Sequence, residues 1–268
     1  MLRGILASHP DVAIFPSEID FIWKYGNEKY PNDELTPDLA RPEVKEHIRN
    51  QFSVLSARHS GARVVEKSVS NSLRVAYVNA VFPDAYFIHL VRDGRANVES
   101  VRRSWESGVS FKYYLQKFKG INWIDACHLA PSYVGYHLRR KGLFGAEKGV
   151  KGPHFEGIKK LLVEKDFLEV CAIQWKICVE SARKSLRNIP SEQVIEIRYE
   201  DLVTNPVEVI EALFSKIELS FPQECQEHIK HNVHDSNLDK WRSNLAESEL
   251  ARLLPHISSE LADLGYEH

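Results

Sequence analysis

One arginine at the end of an apolar segment is the strongest candidate for chemistry in this sequence. Residues 86–91 form a nearly continuous apolar run, which is typical of a strand covered on both faces of a parallel sheet. Arg92 follows directly, and Asp93-Gly94 then forms a turn signal before a predicted helix. Ligands of open α/β sheets bind beyond the carboxyl ends of the strands, and a planar guanidinium suits bidentate binding of a phosphate. The alternative is an Arg92–Asp93 ion pair at the strand end.

Ser100 is a second candidate ligand for the same phosphate. It follows Arg92 within the helix predicted for residues 95–105. Its hydroxyl adds a hydrogen-bond donor if that face of the helix turns towards Arg92. The pair therefore predicts a phosphate-binding site.

Two other patterns suggest a site but are interpreted differently. Residues 139–157 are rich in glycine and lysine, but no Gly-Lys-Ser/Thr follows a strand there, so we predict a mobile surface insertion and candidate lid rather than a P-loop. His228, His231 and His234 recur every three residues. On a helix this spacing spreads them over roughly 120°, and no other ligand is evident, so we predict a solvated surface and no metal site.

Helical and apolar strand-like segments alternate along the chain. Strands are predicted at residues 12–15, 62–67, 86–91 and 194–199. Helices are predicted at residues 72–82, 95–105 and 167–186, from Pro206 to about Ile217 with Asn205 as its cap, and at residues 248–264 with an interruption at Pro255. This alternation indicates a parallel, doubly wound α/β sheet.

Composition narrows the class of protein. The 268 residues suit one α/β domain or two small ones, and 35 basic against 37 acidic residues give a net charge of -2. Nucleic acid is therefore not a predicted partner. No segment approaches the roughly 18 apolar residues of a membrane span, and no secretory signal is visible.

The four cysteines do not suggest a disulfide framework. Cys171 and Cys178 share a helical stripe with Trp175 and Ala182, which predicts a buried helix face. Cys127 and Cys225 have no partner at ligand spacing. The cysteine content mildly favours a reducing, cytoplasmic compartment.

The string Val-Arg-Asp-Gly-Arg-Ala-x-Val-x-Ser at residues 91–100 resembles the 3′-phosphate-binding motif of sulfotransferases that use 3′-phosphoadenosine-5′-phosphosulfate (PAPS). It is most similar to the tyrosylprotein sulfotransferase branch and related bacterial enzymes. Other segments match the same family in the same order and extend over nearly the whole chain: residues 9–12, Glu18, Glu66-Lys67, Trp175, residues 198–202, Asn205-Pro206, Lys240-Trp241 and residues 264–266. The resemblance implies a P-loop-NTPase-like parallel sheet flanked by helices, in one domain spanning residues 1–268 with a helical or loop insertion at about 106–166.

The resemblance also implies how the nucleotide is held. Arg92 and Ser100 would bind the 3′-phosphate, Tyr199 would lie near the adenosine, and Lys240 near the nucleotide phosphates. Tyr199 could equally be a core residue. The relatives have a further arginine where this chain has Ser104, and the neighbouring Arg103 is a candidate substitute.

Two residues are implied in catalysis. Glu18 would be the general base that takes the proton of an acceptor hydroxyl, with Asp20 as a weaker substitute. Lys67 would stabilise charge on the oxygen that bridges sulfur and the 5′-phosphate. The alternatives are that Glu18 caps a helix and that Lys67 is a solvated strand end. No metal is implied.

One family element has no counterpart in this sequence. The glycine-rich loop that cradles the 5′-phosphosulfate precedes, in relatives, the helix that here begins at Met1. We therefore predict an N-terminally truncated chain that lacks the first, central strand and exposes apolar strand edges.

The expected function is sulfuryl transfer from PAPS to a hydroxyl on a protein tyrosine, a carbohydrate or a small metabolite. The alternative is a truncated, non-catalytic protein that binds 3′-phosphoadenosine nucleotides or a protein partner. A kinase is disfavoured, because neither Gly-Lys-Ser/Thr nor an Asp pair for magnesium is apparent. Aromatic residues of the predicted insertion suit stacking on a sugar or tyrosine, or a small helical core: Trp105, Tyr113, Tyr114, Trp123 and Tyr133.

Overall fold

The computed structural model of the protein describes residues 1–106, 152–235 and 238–266. The strands are β1 (Val12–Ile14), β2 (Arg63–Val65), β3 (Phe87–Val91) and β4 (Val194–Arg198). The first helices are α1 (Leu2–Ala7), α2 (Asp20–Trp23), α3 (Pro42–Arg58), α4 (Val75–Val81) and α5 (Gly94–Glu106). They are followed by α6 (Ile158–Glu164), α7 (Phe167–Leu186), α8 (Tyr199–Thr204), α9 (Pro206–Lys216), α10 (Gln223–Asn232), α11 (Lys240–Asn244) and α12 (Glu247–Asp263). The short 3₁₀ turns are Pro37–Leu39, Val69–Leu73 and Ser191–Gln193.

The four strands form two parallel pairs. β1 pairs with β2 from Val12 opposite Arg63 to Ile14 opposite Val65. β3 pairs with β4 from Phe87 opposite Val194 to Val91 opposite Arg198. In the described part of the chain no backbone ladder joins the two pairs. The α/β class with parallel strands and flanking helices is confirmed.

Helix α7 packs against segments that follow both pairs of strands. It begins where predicted, because the Asp166 carboxylate accepts hydrogen bonds from the amides of Leu168 (2.9 Å) and Glu169 (3.0 Å). Its predicted stripe is largely buried, with Cys178 only half-buried. One face packs on α5 and α12, and the other contacts the turn Val69–Leu73 that follows β2.

Three sequence predictions of helix boundaries need correction. Residues 72–82 are not one helix, because Arg74, with a non-helical φ of -137° and ψ of 29°, separates the turn Val69–Leu73 from α4. Asn205 precedes α9, but its side-chain Nδ2 donates to Thr204 Oγ1 (3.3 Å) and its side chain does not cap that helix. Pro255 lies inside a continuous α12, because Leu253 and Ile257 on either side of it are fully buried against α7.

The predicted insertion at about 106–166 lies mostly outside the described residues. Residues 152–166, the described part of this insertion after its gap, contain α6. Asp33 accepts a hydrogen bond from the His154 backbone amide (2.8 Å) and so holds this segment in place. Tyr113, Tyr114, Trp123, Cys127 and Tyr133 lie outside the described residues, as does most of the glycine-rich stretch. None of the helices in the described ranges is long and apolar enough to cross a membrane.

Candidate functional site

Arg92 lies at the carboxyl end of β3, as the sequence predicts. Its guanidinium carbon is 4.5 Å from the centre of the Tyr199 ring, which follows β4. The indole Nε1 of Trp175 donates to the Arg92 carbonyl oxygen at 3.1 Å. Because the neighbouring strands end at the same level, the sheet brings two of the predicted nucleotide ligands, Arg92 and Tyr199, into contact.

The turn after Arg92 is fixed by buried polar contacts. The Asp93 carboxylate accepts from the Arg95 guanidinium, with Nη2 at 2.7 Å and Nε at 3.1 and 3.2 Å, and from the Arg95 backbone amide at 2.8 Å. The Asp93 amide donates to Glu200 Oε1 at 3.1 Å, and the Tyr266 hydroxyl donates to Glu200 Oε2 at 2.8 Å. Burial and the Glu200 carboxylate raise the pKa of Tyr266, so its hydroxyl stays protonated as a donor.

Glycine at position 94 is required by the close approach of helix α7. A Cβ at this position would lie 2.9 Å from the Trp175 ring. The absence of a side chain therefore lets Trp175 reach the Arg92 carbonyl.

Ser100 and Lys240 lie on two helices that pack together, α5 and α11. The Arg95 guanidinium sits over the Trp241 ring at 4.2 Å, and Asn244 Nδ2 donates to Glu99 Oε1 at 2.8 Å. Ser100 and Lys240 are both half-buried, next to these contacts in sequence. Arg103, the candidate substitute for the missing arginine, lies 3.6 Å from Glu99 Oε2 through its Nη2.

Glu18 and Lys67 form an ion pair, with Lys67 Nζ 2.8 Å from Glu18 Oε1. Ile14 and Val65, at the carboxyl ends of β1 and β2, are in register, so the segments that follow leave the same edge of the sheet. The two side chains are 43% and 50% exposed and therefore accessible to a substrate. The structure thus brings together the two residues predicted for catalysis.

Asp20, the predicted substitute for Glu18, lies in a different environment. Its Oδ1 is 2.5 Å from Nη2 of the buried Arg74. A carboxylate committed to a buried guanidinium is a poor proton acceptor for a substrate hydroxyl. Among the two acids, Glu18 is therefore the better candidate base.

His228 and His231 lie on α10, and His234 lies beyond its end. Within residues 1–106, 152–235 and 238–266, no three His, Cys, Asp or Glu side chains are grouped to hold a metal ion. His228 instead packs against Gly4 of α1, its Nε2 being 3.0 Å from where a Cβ would lie.

The sequence patterns indicate no role for Glu200, Arg95 or Arg74. Glu200 links the Asp93 turn to Tyr266, and Arg74 donates to Asp20, two residues after Glu18. The carboxylate of Asp93 and the arginine two residues later could have indicated a local pair. The contacts of Glu200 connect residues more than 60 positions apart, and no local pattern signals them.

The chain is similar to known proteins in sequence and in fold. The model of the sulfotransferase family matches residues 1–133 and 155–223. The structure of a sulfotransferase domain from the curacin biosynthetic pathway is similar to this chain, with a TM-score of 0.57 and 18% identity over 99% of this chain and 93% of that one. The sulfotransferase STF9 from Mycobacterium avium is similar with a TM-score of 0.50 and 15% identity, over 84% of this chain and 47% of that one. No curated protein sequence matches the chain. Because the family model covers most of its length, the chain belongs to the sulfotransferase family.

Proposed function

We propose that this sulfotransferase takes its sulfuryl group from PAPS and transfers it to an acceptor hydroxyl. The released product would be 3′-phosphoadenosine 5′-phosphate. The observation that carries the proposal is the stack of Arg92 on Tyr199 at the carboxyl ends of two paired strands. There a cation that can bind a phosphate lies over an aromatic ring that can contact an adenosine.

Arg92 would bind the 3′-phosphate through its guanidinium. The contacts of Tyr199 and Trp175 restrict this arginine before any ligand arrives, which lowers the entropic cost of binding. Ser100 would add a hydroxyl donor from α5, and Lys240 would add a positive charge from α11. Tyr199 would lie against the adenosine.

Glu18 and Lys67 would carry the transfer step. The acceptor oxygen forms a bond to sulfur as the bond from sulfur to the 5′-phosphate oxygen breaks, and the hydroxyl proton moves to the Glu18 carboxylate. The electron pair of the broken bond stays on the 5′-phosphate oxygen, where the Lys67 ammonium stabilises the added charge. No covalent enzyme intermediate and no metal ion is needed for these roles.

The acceptor would be a hydroxyl of a protein tyrosine, a carbohydrate or a small metabolite. A protein that binds the nucleotide without transferring the sulfuryl group is the competing function.

The test is transfer of ³⁵S from labelled PAPS to a panel of tyrosine peptides, oligosaccharides and phenols. We expect labelled product, and a loss of about 100-fold or more in kcat for Glu18→Gln. Glu43→Gln, an exposed acid paired with Arg41 on α3, is the control and should keep full activity. Nucleotide binding without any transfer would favour the non-catalytic alternative. Failure of both would refute the proposed function.

A further inference from the structure

A buried arginine contacts the segments that follow Glu18 and Lys67. Arg74 is only 1% exposed, and its side chain has no solvent contact. Its Nη2 donates to Asp20 Oδ1 at 2.5 Å and its Nε to Asn71 Oδ1 at 2.8 Å. Burying a guanidinium is costly unless its charge and hydrogen bonds are satisfied, so these contacts fix Asp20 and Asn71 strongly in place.

The same contacts extend to the segment that carries Lys67. Glu66 accepts from Asn71 Nδ2 at 2.5 Å and from Ser68 Oγ at 2.5 Å. The Ser68 hydroxyl in turn accepts from the Ile19 amide at 3.3 Å. Both neighbours of Lys67 in sequence and the two residues that follow Glu18 thus belong to one hydrogen-bonded network.

This network is not an efficient way to stabilise a core. Arg74 Nη1 is buried with no hydrogen-bond partner in the described part of the chain. Burial also raises the pKa of Glu66, against the effect of its hydrogen bonds and of Arg74. An apolar cluster of the same volume would avoid these costs. What the polar network supplies instead is a fixed geometry for the two segments it joins.

We propose that Asp20 and Arg74 are positioning residues that set the contact between the Glu18 carboxylate and the Lys67 ammonium. This inference rests on the proposed function, in which that pair performs the transfer step. Asp20 acts through the backbone of residues 18–20, and Arg74 acts through Asn71 and Glu66 on the other side. Neither residue touches the substrate in this account.

The test compares Asp20→Asn and Arg74→Lys with Glu260→Gln. Glu260 is a buried carboxylate whose Oε1 lies 3.2 Å from Lys176 Nζ, where α12 packs on α7, so its loss reports a general effect of removing a buried acid. We expect kcat to fall about 10- to 100-fold in the first two variants, because small misplacements of reacting groups cost that much. The dissociation constant for 3′-phosphoadenosine 5′-phosphate should stay within about twofold of wild type, since the Arg92 contacts are not altered. Glu260→Gln should change neither.

A double-variant comparison separates positioning from fold stability. If Asp20 acts through Glu18, adding Asp20→Asn to a Glu18→Gln enzyme should leave kcat unchanged. A further loss of about 10-fold in the double variant, or a normal kcat in Asp20→Asn alone, would overturn the inference. Asp20→Asn keeps the shape of the side chain and serves if Arg74→Lys does not fold.

A readout without turnover distinguishes this inference from the proposed function. The ¹⁵Nζ NMR signal of Lys67 reports its contact with Glu18 in the free enzyme. It should move towards that of an exposed lysine in Asp20→Asn and stay in place in Glu260→Gln. If wild-type protein transfers no sulfuryl group, the proposed function fails, while this signal still decides whether the network holds the pair. An unchanged signal in Asp20→Asn would refute the positioning role.

Discussion

The Arg92 guanidinium lies 4.5 Å from the Tyr199 ring, although 107 positions separate the two residues in the chain. The contact exists because β3 and β4 pair in parallel with Val91 opposite Arg198, so the residue after each strand meets its counterpart. An arginine held on an aromatic face keeps its planar guanidinium in one orientation for a ligand. The proposed nucleotide site depends on this pairing.

The Gly94→Ala substitution tests how closely helix α7 supports the Arg92 turn. The added methyl group would lie 2.9 Å from the Trp175 ring, so one of the two elements must move. We expect a loss of about 1–3 kcal/mol in the free energy of unfolding, measured by urea denaturation. Nucleotide affinity should fall as well, because Trp175 holds the Arg92 carbonyl.

Asn97→Ala is the control for that substitution. Asn97 is a half-buried residue on the same helix, and its replacement should change stability and nucleotide affinity much less. A Gly94→Ala protein with wild-type stability would show that the contact with Trp175 is not close in solution.

The Tyr266→Phe substitution tests the bond from the C-terminal segment to Glu200. The Tyr266 hydroxyl donates to Glu200 Oε2, and the other oxygen of that carboxylate accepts from the Asp93 amide. We expect a loss of about 1 kcal/mol in unfolding free energy and a several-fold weaker affinity for 3′-phosphoadenosine 5′-phosphate. Tyr86→Phe, at an exposed tyrosine, is the matched control. Equal behaviour of the two variants would contradict the role of Glu200.

The strands, most helices and the position of Arg92 could be predicted because their signals are local. The apolar run before Arg92 and the stripe of Cys171 and Trp175 each lie within one element. The continuous path of α12 through Pro255 could not be predicted. Burial of Leu253 and Ile257 against α7 outweighs the helical backbone hydrogen bond that proline cannot donate. Similarly, no local pattern indicates that Arg74 reaches Asp20 across 54 positions. Pairs that depend on tertiary packing required the structure.

The Glu66→Gln substitution should change how the free energy of unfolding depends on pH. Burial raises the pKa of Glu66 in the folded protein, with hydrogen bonds from Ser68 and Asn71 and the charge of Arg74 opposing this. The folded state therefore binds a proton more tightly than the unfolded state, so this group stabilises the fold at low pH and loses that contribution as pH rises through the folded pKa.

Glutamine cannot ionise, so the variant should lack this loss. Urea denaturation at a series of pH values from about 4 upwards should show the variant gaining stability relative to wild type as pH rises. A stability difference that stays constant across that range would contradict the raised pKa of Glu66.

The Lys67→Met substitution tests the electrostatic part of the transfer step. Methionine keeps the length and apolar stem of lysine but removes the ammonium that lies 2.8 Å from Glu18. We expect kcat to fall about 100-fold or more, while the affinity for 3′-phosphoadenosine 5′-phosphate changes little. The exposed Lys160, which pairs with Glu164 on α6, provides the control variant Lys160→Met. A normal kcat in Lys67→Met would remove Lys67 from the mechanism.

The measurement that tests the central claim most directly is calorimetric binding of 3′-phosphoadenosine 5′-phosphate and of adenosine 5′-phosphate to wild type and Arg92→Ala. The Arg92 site predicts that wild type prefers the 3′-phosphorylated nucleotide by about 100-fold or more, and that Arg92→Ala removes most of this preference. Arg102→Ala removes an arginine of the neighbouring helix α5 that pairs with Glu249, and this variant should keep the preference. A wild-type protein that binds both nucleotides equally, or an Arg92→Ala variant that retains the preference, would contradict the account.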